Sequence, residues 1–523
     1  MSLHNKIHSH NHNKKLKFFL ISFLVLANYI FWQNFLTSQR AVAEINNQAL
    51  SAQIEAESNL QQNLNAGQIK NKGLLMFRGT SSRDFYGTGP INTNMPEMLW
   101  RYPNETSLNN KPLCAKSYVG NANKIWCGSG WTGQPIVWER SDGITEIITN
   151  TYDRGIHFIN AQTGEQSRVP FYTGDIIKGT VTMDPDGYPL LYSGSRDNFY
   201  RIIALDREVP TELWRIEAKK SDGVWNDDWD PNGLILNDIL YTGSENGWFH
   251  AIKLNRSYDD LGKVTVNPTE IFKYPTYADG YIDKLGDDDL SIESSPLLVD
   301  NIIYIANSGG RIMGFDTKII EKNIDSSVVP ITFDFWTGDD TDATLVADKN
   351  GFVYSASEYE RNNERQKIGQ ILKLDPKKYL EKISKGEAPT DSDIIVWGIS
   401  VPKKRGMTGG IWATPAIKNN RLYVPTNPGD LLMIDTNTGK ILNSIYIGTN
   451  AWSSPALIDN NLDSNLIIGT CEGKILNFNI SNDIFEKVWE HKIDSGSCIE
   501  STPAVWNGQI FFGARDGYIY SIK

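Results

Sequence analysis

The sequence predicts an all-β chain folded as an eight-bladed β-propeller, preceded by a transmembrane signal-anchor helix and a helical stalk. Three observations carry this. A pattern of four short strands recurs with a period of roughly 40–50 residues, the length of one propeller blade. The composition, with 43 glycines and 15 tryptophans among 523 residues, suits many short strands joined by tight turns. The repeat array also ends one strand short, and a spare strand stands near its beginning.

The N-terminal segment comes first. Lys14, Lys15 and Lys17 precede an apolar run at 18–36, whose 19 residues are just enough to span a bilayer. Positive charge before the run places residues 1–17, a basic and His-rich tail, in the cytoplasm. The rest of the chain is then delivered outside, tethered to the cytoplasmic membrane and facing a periplasmic or extracellular space. Ala41-Val42-Ala43 offers a small-x-small site for a signal peptidase, but a retained anchor is the expectation. Residues 37–72, rich in Gln, Asn, Ala and Glu, read as a polar helical stalk.

The propeller is expected over 73–523. A small or hydroxyl residue followed by Pro and two apolar residues opens several repeats: Ser295-Pro296, Thr414-Pro415, Ser454-Pro455 and Thr502-Pro503, with Gln134-Pro135 as a looser copy. A second strand then runs into a polar, Gly-containing turn, anchored near 155, 198, 247, 310, 358, 429, 473 and 517. Such turns need a residue that accepts positive φ at little cost. A third strand ends near Asp or Asn, as at Asp206, Asp375 and Asp435. The fourth carries an aromatic residue, Trp214, Trp336, Trp397 or Trp489, suited to packing between blades. Insertions are expected at 257–286, 361–365 and 377–393. The eighth copy stops at Lys523 without a fourth strand, whereas Met98-Leu99-Trp100-Arg101-Tyr102 reads as a fourth strand with no blade before it. Pairing the two would close the ring and remove two sheet edges.

The hydroxyl-Pro opening, the Gly turn, the Leu-Asp ending and the fourth-strand Trp resemble the repeats of pyrroloquinoline-quinone (PQQ) propeller proteins, over about 73–523. The resemblance implies an eight-bladed ring and one of two kinds of function. The quinoprotein alcohol dehydrogenases place an adjacent cysteine pair beside the quinone, with an Asp base and a Ca²⁺-binding Glu, Asn and Asp group. Cofactor-free members, such as the outer-membrane-assembly lipoprotein, act as scaffolds. This chain has no Cys-Cys, so the resemblance is nearer the cofactor-free branch.

Cys114, Cys127, Cys471 and Cys498 are the four cysteines, and none forms a CxxC or CxxCH motif. That removes the usual thiolate zinc sites and covalent haem. The spacings of 13 and 27 residues suit two local disulfides in an exported chain, or four buried thiols in a cytosolic one. A net charge of -11 makes nucleic acid an unsuitable partner.

Ligands of propellers enter through the loops leading into each first strand. Those loops hold Trp131, Asp227, Asp228, Trp229, Asp289, Glu293, Asp340, Asp342, Trp412, Trp452 and Glu500. Acids and tryptophans around one opening suit Ca²⁺, a cationic group or a sugar ring; taken singly, each also suits turn capping or loop packing. No catalytic residue or metal ligand is assigned. His157, His250 and His491 fall on strand positions, and no nucleophile elbow, HExxH or P-loop occurs. The expected function is that of a binding or scaffold protein, without cofactor, for a protein or envelope-glycan partner. The alternative is a PQQ- and Ca²⁺-dependent dehydrogenase, which acids converging within metal-ligand distance would favour.

Overall fold

The computed structural model describes residues 71–523, apart from 106, 108, 118–123, 323–329, 362 and 461–462. The expected tail, membrane span and all but the end of the stalk lie outside the described residues. Among those described, no helix is long and apolar enough to cross a membrane.

Eight antiparallel sheets follow one another along the chain. The first strands of the repeats in blades 1 to 8 are Ile136–Glu139, Thr182–Met183, Leu234–Leu236, Leu297–Val299, Val346–Ala347, Ala416–Lys418, Ala456–Asn460 and Ala504–Trp506. Each of the eight expected turns joins a second strand to a third, from Asn150 to Gly155 in blade 1 through Gly513 to Ile519 in blade 8. The predicted closure is present: Met98–Tyr102 pairs with Ile519–Ile522 as the outer strand of blade 8. The insertions form a small hairpin (Ser257–Tyr258 with Val264–Thr265), a helix at Tyr281–Leu285, a 3-10 turn at Glu364–Ile368 and helices at Pro376–Ser384 and Asp391–Ile394. The fourth-strand tryptophans of blades 5 and 8 knit blades as expected, whereas Trp336 Nε1 bonds to Gly309 O of its own blade. Trp397 Nε1 donates to Thr436 O of blade 6 at 2.9 Å, and Trp100 Nε1 to Ala161 O of blade 1 at 2.9 Å.

The repeated hydroxyl has a specific role. The backbone N–H of Gln134 donates to Thr180 Oγ1 of the next blade (2.8 Å), Asn232 to Ser295 Oγ (3.0 Å) and Ser295 to Thr344 Oγ1 (3.0 Å). Thr344 in turn donates to Thr414 Oγ1 (3.0 Å) and Thr414 to Ser454 Oγ (2.9 Å). Asn232 Nδ2 binds Thr180 O (3.0 Å), Ser453 Oγ binds Ser501 O (2.9 Å), and Thr502 N–H reaches Gly133 O (2.9 Å). All eight junctions are thus stitched at one level, which we call the hydroxyl ring. Proline after the ring residue has no N–H to leave unsatisfied there. Thr414→Val keeps the shape but orphans the buried Thr344 N–H, and is expected to cost about 1–3 kcal/mol in urea unfolding.

Just below this ring the N-terminal segment 74–91 crosses the centre of the propeller. Leu75 O accepts from Met183 N–H of blade 2 (2.8 Å), Ser81 O from Leu298 N–H of blade 4 (2.9 Å), and Thr88 N–H donates to Val505 O of blade 8 (3.1 Å). Tyr86 Oη accepts from Ile417 N–H of blade 6 (2.9 Å), and Asn460 Nδ2 of blade 7 donates to Ile91 O (3.2 Å). Gly87, at φ 128°, lies so close to blade 8 that a Cβ would sit 2.0 Å from Val505 O. Ahead of this plug, Lys72–Leu74 adds an inner strand to blade 1 by pairing with residues of Ile136–Glu139.

Two arginines anchor the plug. Arg83, fully buried, donates to Pro296 O (3.0 Å), Phe77 O (2.9 Å), Asn232 Oδ1 (2.6 Å) and Asn232 O (3.0 Å). Arg78, equally buried, reaches Thr414 O (2.6 Å) and stacks 5.0 Å from the Tyr86 ring centroid. Burial lowers Arg83 to about 9 and Arg78 to about 10.

Candidate functional site

The chain enters each first strand through two residues that precede the hydroxyl ring. The side chain two positions before each ring residue stands above the ring, at the throat. Around blades 1 to 8 these are Thr132, Lys178, Asp230, Glu293, Asp342, Trp412, Trp452 and Glu500. A second tier comes from the second residue beyond the end of each second strand, including Arg196, Glu245, Ser308, Glu358, Asn427 and Arg515. The two tiers meet: Ser308 Oγ donates to Asp342 Oδ1 (2.8 Å), Trp452 Nε1 to Asn427 Oδ1 (3.1 Å), and Arg515 Nε lies 3.7 Å from Glu500 Oε1. The plug thus crosses on one side of the ring, and these two tiers of side chains gather on the other.

The chemistry of this throat divides into sectors. Over blades 3 to 5 it is acidic. Lys178 Nζ lies among Asp230, which it touches, Glu245 Oε1 (2.7 Å) and Glu293 Oε2 (4.0 Å), and Asn226 Nδ2 also donates to Glu245 (3.0 Å). Burial works against charge on Glu245, but Lys178 holds its carboxyl below the usual range. Burial and the Glu245 charge hold Asp230 above it. Asp340, Asp342 and Glu358 form a second group, with carboxylate oxygens within 4.8 Å of one another and no ion pair among the described residues. Burial first, and mutual repulsion second, push Asp340 and Glu358 well up. Glu293 is raised by burial and by Asp342, which joins the two groups. Asp228, fully buried, pairs with Arg196.

Blades 6 and 7 supply an aromatic sector, where the Trp412 and Trp452 rings lie 6.3 Å apart and tilted by 45°. Both are partly exposed, as is Trp131. Next to them, Glu500 lies beside the Cys471–Cys498 disulfide. The second disulfide joins Cys114 to Cys127, directly opposed on a two-stranded hairpin, and no described cysteine is free.

Of the residues expected at the opening, Glu293, Asp342, Trp412, Trp452 and Glu500 fall on the throat tier, and Asp340 and Asp289 stand beside it. Trp229 does not face the opening. It is 1% exposed, packed between Tyr200 and His250 (5.5 and 5.1 Å between centroids), with Nε1 on Asn198 O. Its flat ring fills the contact between blades 2 and 3, so it is core. Asp227 is half-buried beside it on the loop. Lys178, Asp230, Glu245 and Glu358 were not expected from the sequence. Lys178 and Asp230 precede ring residues that lack the Pro signal, and Glu245 and Glu358 belong to a turn tier that the repeat defines. The three histidines lie on strands, as expected: His157 with Tyr102 Oη (3.1 Å), His250 with Glu270 (2.6 Å), His491 with Pro96 O (3.2 Å).

Burial and the neighbouring Asp342 raise Asp289 to about 6. An acid raised on folding contributes stability that is present below its unfolded value near 4 and lost as pH climbs through about 6. Asp289→Asn is therefore expected to raise the melting temperature at pH 8 and to leave it nearly unchanged at pH 4, by thermal unfolding.

No protein-family model matches the chain, and no curated protein matches its sequence. Solved structures do match. The quinohemoprotein alcohol dehydrogenase of Comamonas testosteroni aligns with a TM-score of 0.55 at 12% identity, over 86% of this chain and 80% of that one. The fold is the eight-bladed quinoprotein-type propeller. BamB of Moraxella catarrhalis aligns at 0.48 and 14% identity, over 74% of this chain and 95% of that one. The computationally designed Ika8 protein aligns at 0.46 and 14%, over 72% and 92%. At these identities the likeness is one of fold, and the site must be read from its own residues.

Proposed function

We propose that this chain is an exported, membrane-tethered binding propeller whose funnel receives a positively charged part of a partner protein. The observation that carries this is the composition of the funnel. Asp228, Asp230, Glu245, Asp289, Glu293, Asp340, Asp342 and Glu358 crowd one side, and the Trp412–Trp452 pair lines the adjacent side. Carboxylates in a low-dielectric recess attract a cation strongly, and a flat aromatic wall covers the apolar stem that carries it. Export is supported by the two disulfides, which persist in oxidising compartments. The anchor at 18–36 rests on the sequence.

The alternative, a PQQ- and Ca²⁺-dependent dehydrogenase, has one observation in its favour: carboxylates do converge within metal-ligand distance, at Asp340, Asp342 and Glu358. Oxygen donors of this kind fit Ca²⁺. They do not fit the quinone, which carries three carboxylates of its own. Lys178, Arg196 and Arg361, the cations beside the acids, are each already held by carboxylates. The cysteines are tied into two separate disulfides with no adjacent pair. Calorimetric titration of the full chain in detergent with PQQ and Ca²⁺ tests the choice. No heat of quinone binding is expected; tight, calcium-dependent binding would overturn the binding-protein reading.

A further inference from the structure

The funnel contains the same acidic arrangement twice, and only one copy is filled. At blade 3, Asp228 and Asp230 stand four and two residues before the ring residue Asn232, and Glu245 follows Ser244. At blade 5, Asp340 and Asp342 stand four and two residues before Thr344, and Glu358 follows Ser357. The blade 3 acids enclose a lysine ammonium: Lys178 arrives from the throat position of the preceding blade and touches Asp230 and Glu245. For blade 5 the throat position of the preceding blade is Glu293, so no lysine is delivered.

The empty copy also shows unmet hydrogen-bonding capacity. Glu358 is 3% exposed, its side-chain hydrogen bond is to another acid, Glu360, and the charges that bear on it are carboxylates, Asp342 first. The buried Oδ1 of Asp340 has no hydrogen-bond partner. Asp342 accepts from the Ser308 hydroxyl (2.8 Å) and is hydrogen-bonded to the carboxyl of Asp340. The nearby guanidinium of Arg361 is turned elsewhere, onto Asp287 and onto the carbonyls of Asp289 and Ser308 (3.1 Å each). Buried acids left in this state share protons or take up a cation.

We propose that Asp340, Asp342 and Glu358 form a receptor for the ammonium group of a lysine side chain presented by the partner protein, with Lys178 as the built-in version of the same contact. This rests on the funnel being the partner site and names the group it recognises. Three oxygens within 4.8 Å of one another match the three N–H donors of one ammonium. The tryptophan pair borders the next blades, where the four-carbon stem of an incoming lysine would lie.

The test is calorimetric titration of the full chain in detergent with Nα-acetyl-lysine N-methylamide. The Nε-acetylated form, glucosamine and CaCl₂ serve as the competing chemistries. Binding of the free-ammonium lysine alone is expected, at one per chain, weakened at least tenfold in Asp342→Asn and in Glu358→Gln. Glu358→Lys, which supplies an ammonium from within, is expected to abolish binding and to raise the melting temperature. The inference is overturned if the lysine probe fails to bind, if Glu358→Gln binds it as the wild type does, or if Ca²⁺ or glucosamine binds instead. It is equally overturned if Glu358→Lys lowers the melting temperature. Cross-linking of a partner from Trp452 judges the funnel as a partner site separately, since it does not depend on which group enters the triad.

Discussion

Lys178→Met is expected to destabilise the protein by about 3–5 kcal/mol at pH 8, the usual cost of removing one partner from a buried charge cluster. The lysine is the one ammonium that Asp230, Glu245 and Glu293 share. Without it, each carboxyl must either stay charged in a low-dielectric recess or take up a proton on folding. Protonation raises the folded values above the unfolded ones near 4, so the penalty is small near pH 4 and grows as pH rises through the raised values. Urea unfolding at pH 5 and pH 8 measures this, and the gap between wild type and variant should be wider at pH 8. Methylamine should return part of the lost stability to the variant by mass action. A uniform loss at both pH values would mean that Lys178 acts through packing of its stem.

Arg83→Leu is the second large effect, expected to cost about 3–4 kcal/mol. The substitution removes four hydrogen bonds and strands three carbonyl groups, those of Phe77, Asn232 and Pro296, while Asn232 Oδ1 keeps the Phe77 N–H. Part of that loss is offset, because the guanidinium no longer has to be buried without a carboxylate. The damage should concentrate at the plug. Hydrogen exchange is expected to quicken at the N–H groups of Met183 and Leu298, which donate to plug carbonyls, while the second and third strands of blade 7 stay protected.

The repeat was legible because its signals answer to backbone requirements. Each turn anchor fell on a connection between second and third strands, and at six of them, from Asn198 and Gly247 to Gly473 and Gly517, Gly or Asn relieves a positive φ. The hydroxyl before proline was legible as a pattern, and its cause is the N–H of the neighbouring blade. Where an amide replaces the hydroxyl, at Gln134 and Asn232, the longer side chain also reaches the plug, through Arg78 N–H (2.8 Å) and Phe77 N–H (3.2 Å). The plug itself was not legible: segment 74–91 has no period, and beyond its local turns it is held by partners distant in sequence.

The candidate site was read unevenly for a related reason. Glu293, Trp412, Trp452 and Glu500 precede a clear Ser-Pro or Thr-Pro, so their register could be fixed. Lys178 precedes Gly179-Thr180-Val181 and Asp230 precedes Pro231-Asn232-Gly233, where that signal is blurred. Trp229 shares a loop with Asp228 and Asp230 yet turns inward, because a one-residue step reverses the direction of a side chain in extended backbone.

The most direct test of the funnel as a partner site is site-specific photo-cross-linking of the full chain in its native membrane. One photoreactive residue replaces Trp452 in the throat, and another replaces Tyr172 on the exposed outer strand of blade 1 (53% exposed). A single protein partner captured from position 452, absent from position 172 and lost in Asp342→Asn, is the predicted result. Capture from the outer strand alone, with none from the throat, would contradict the account.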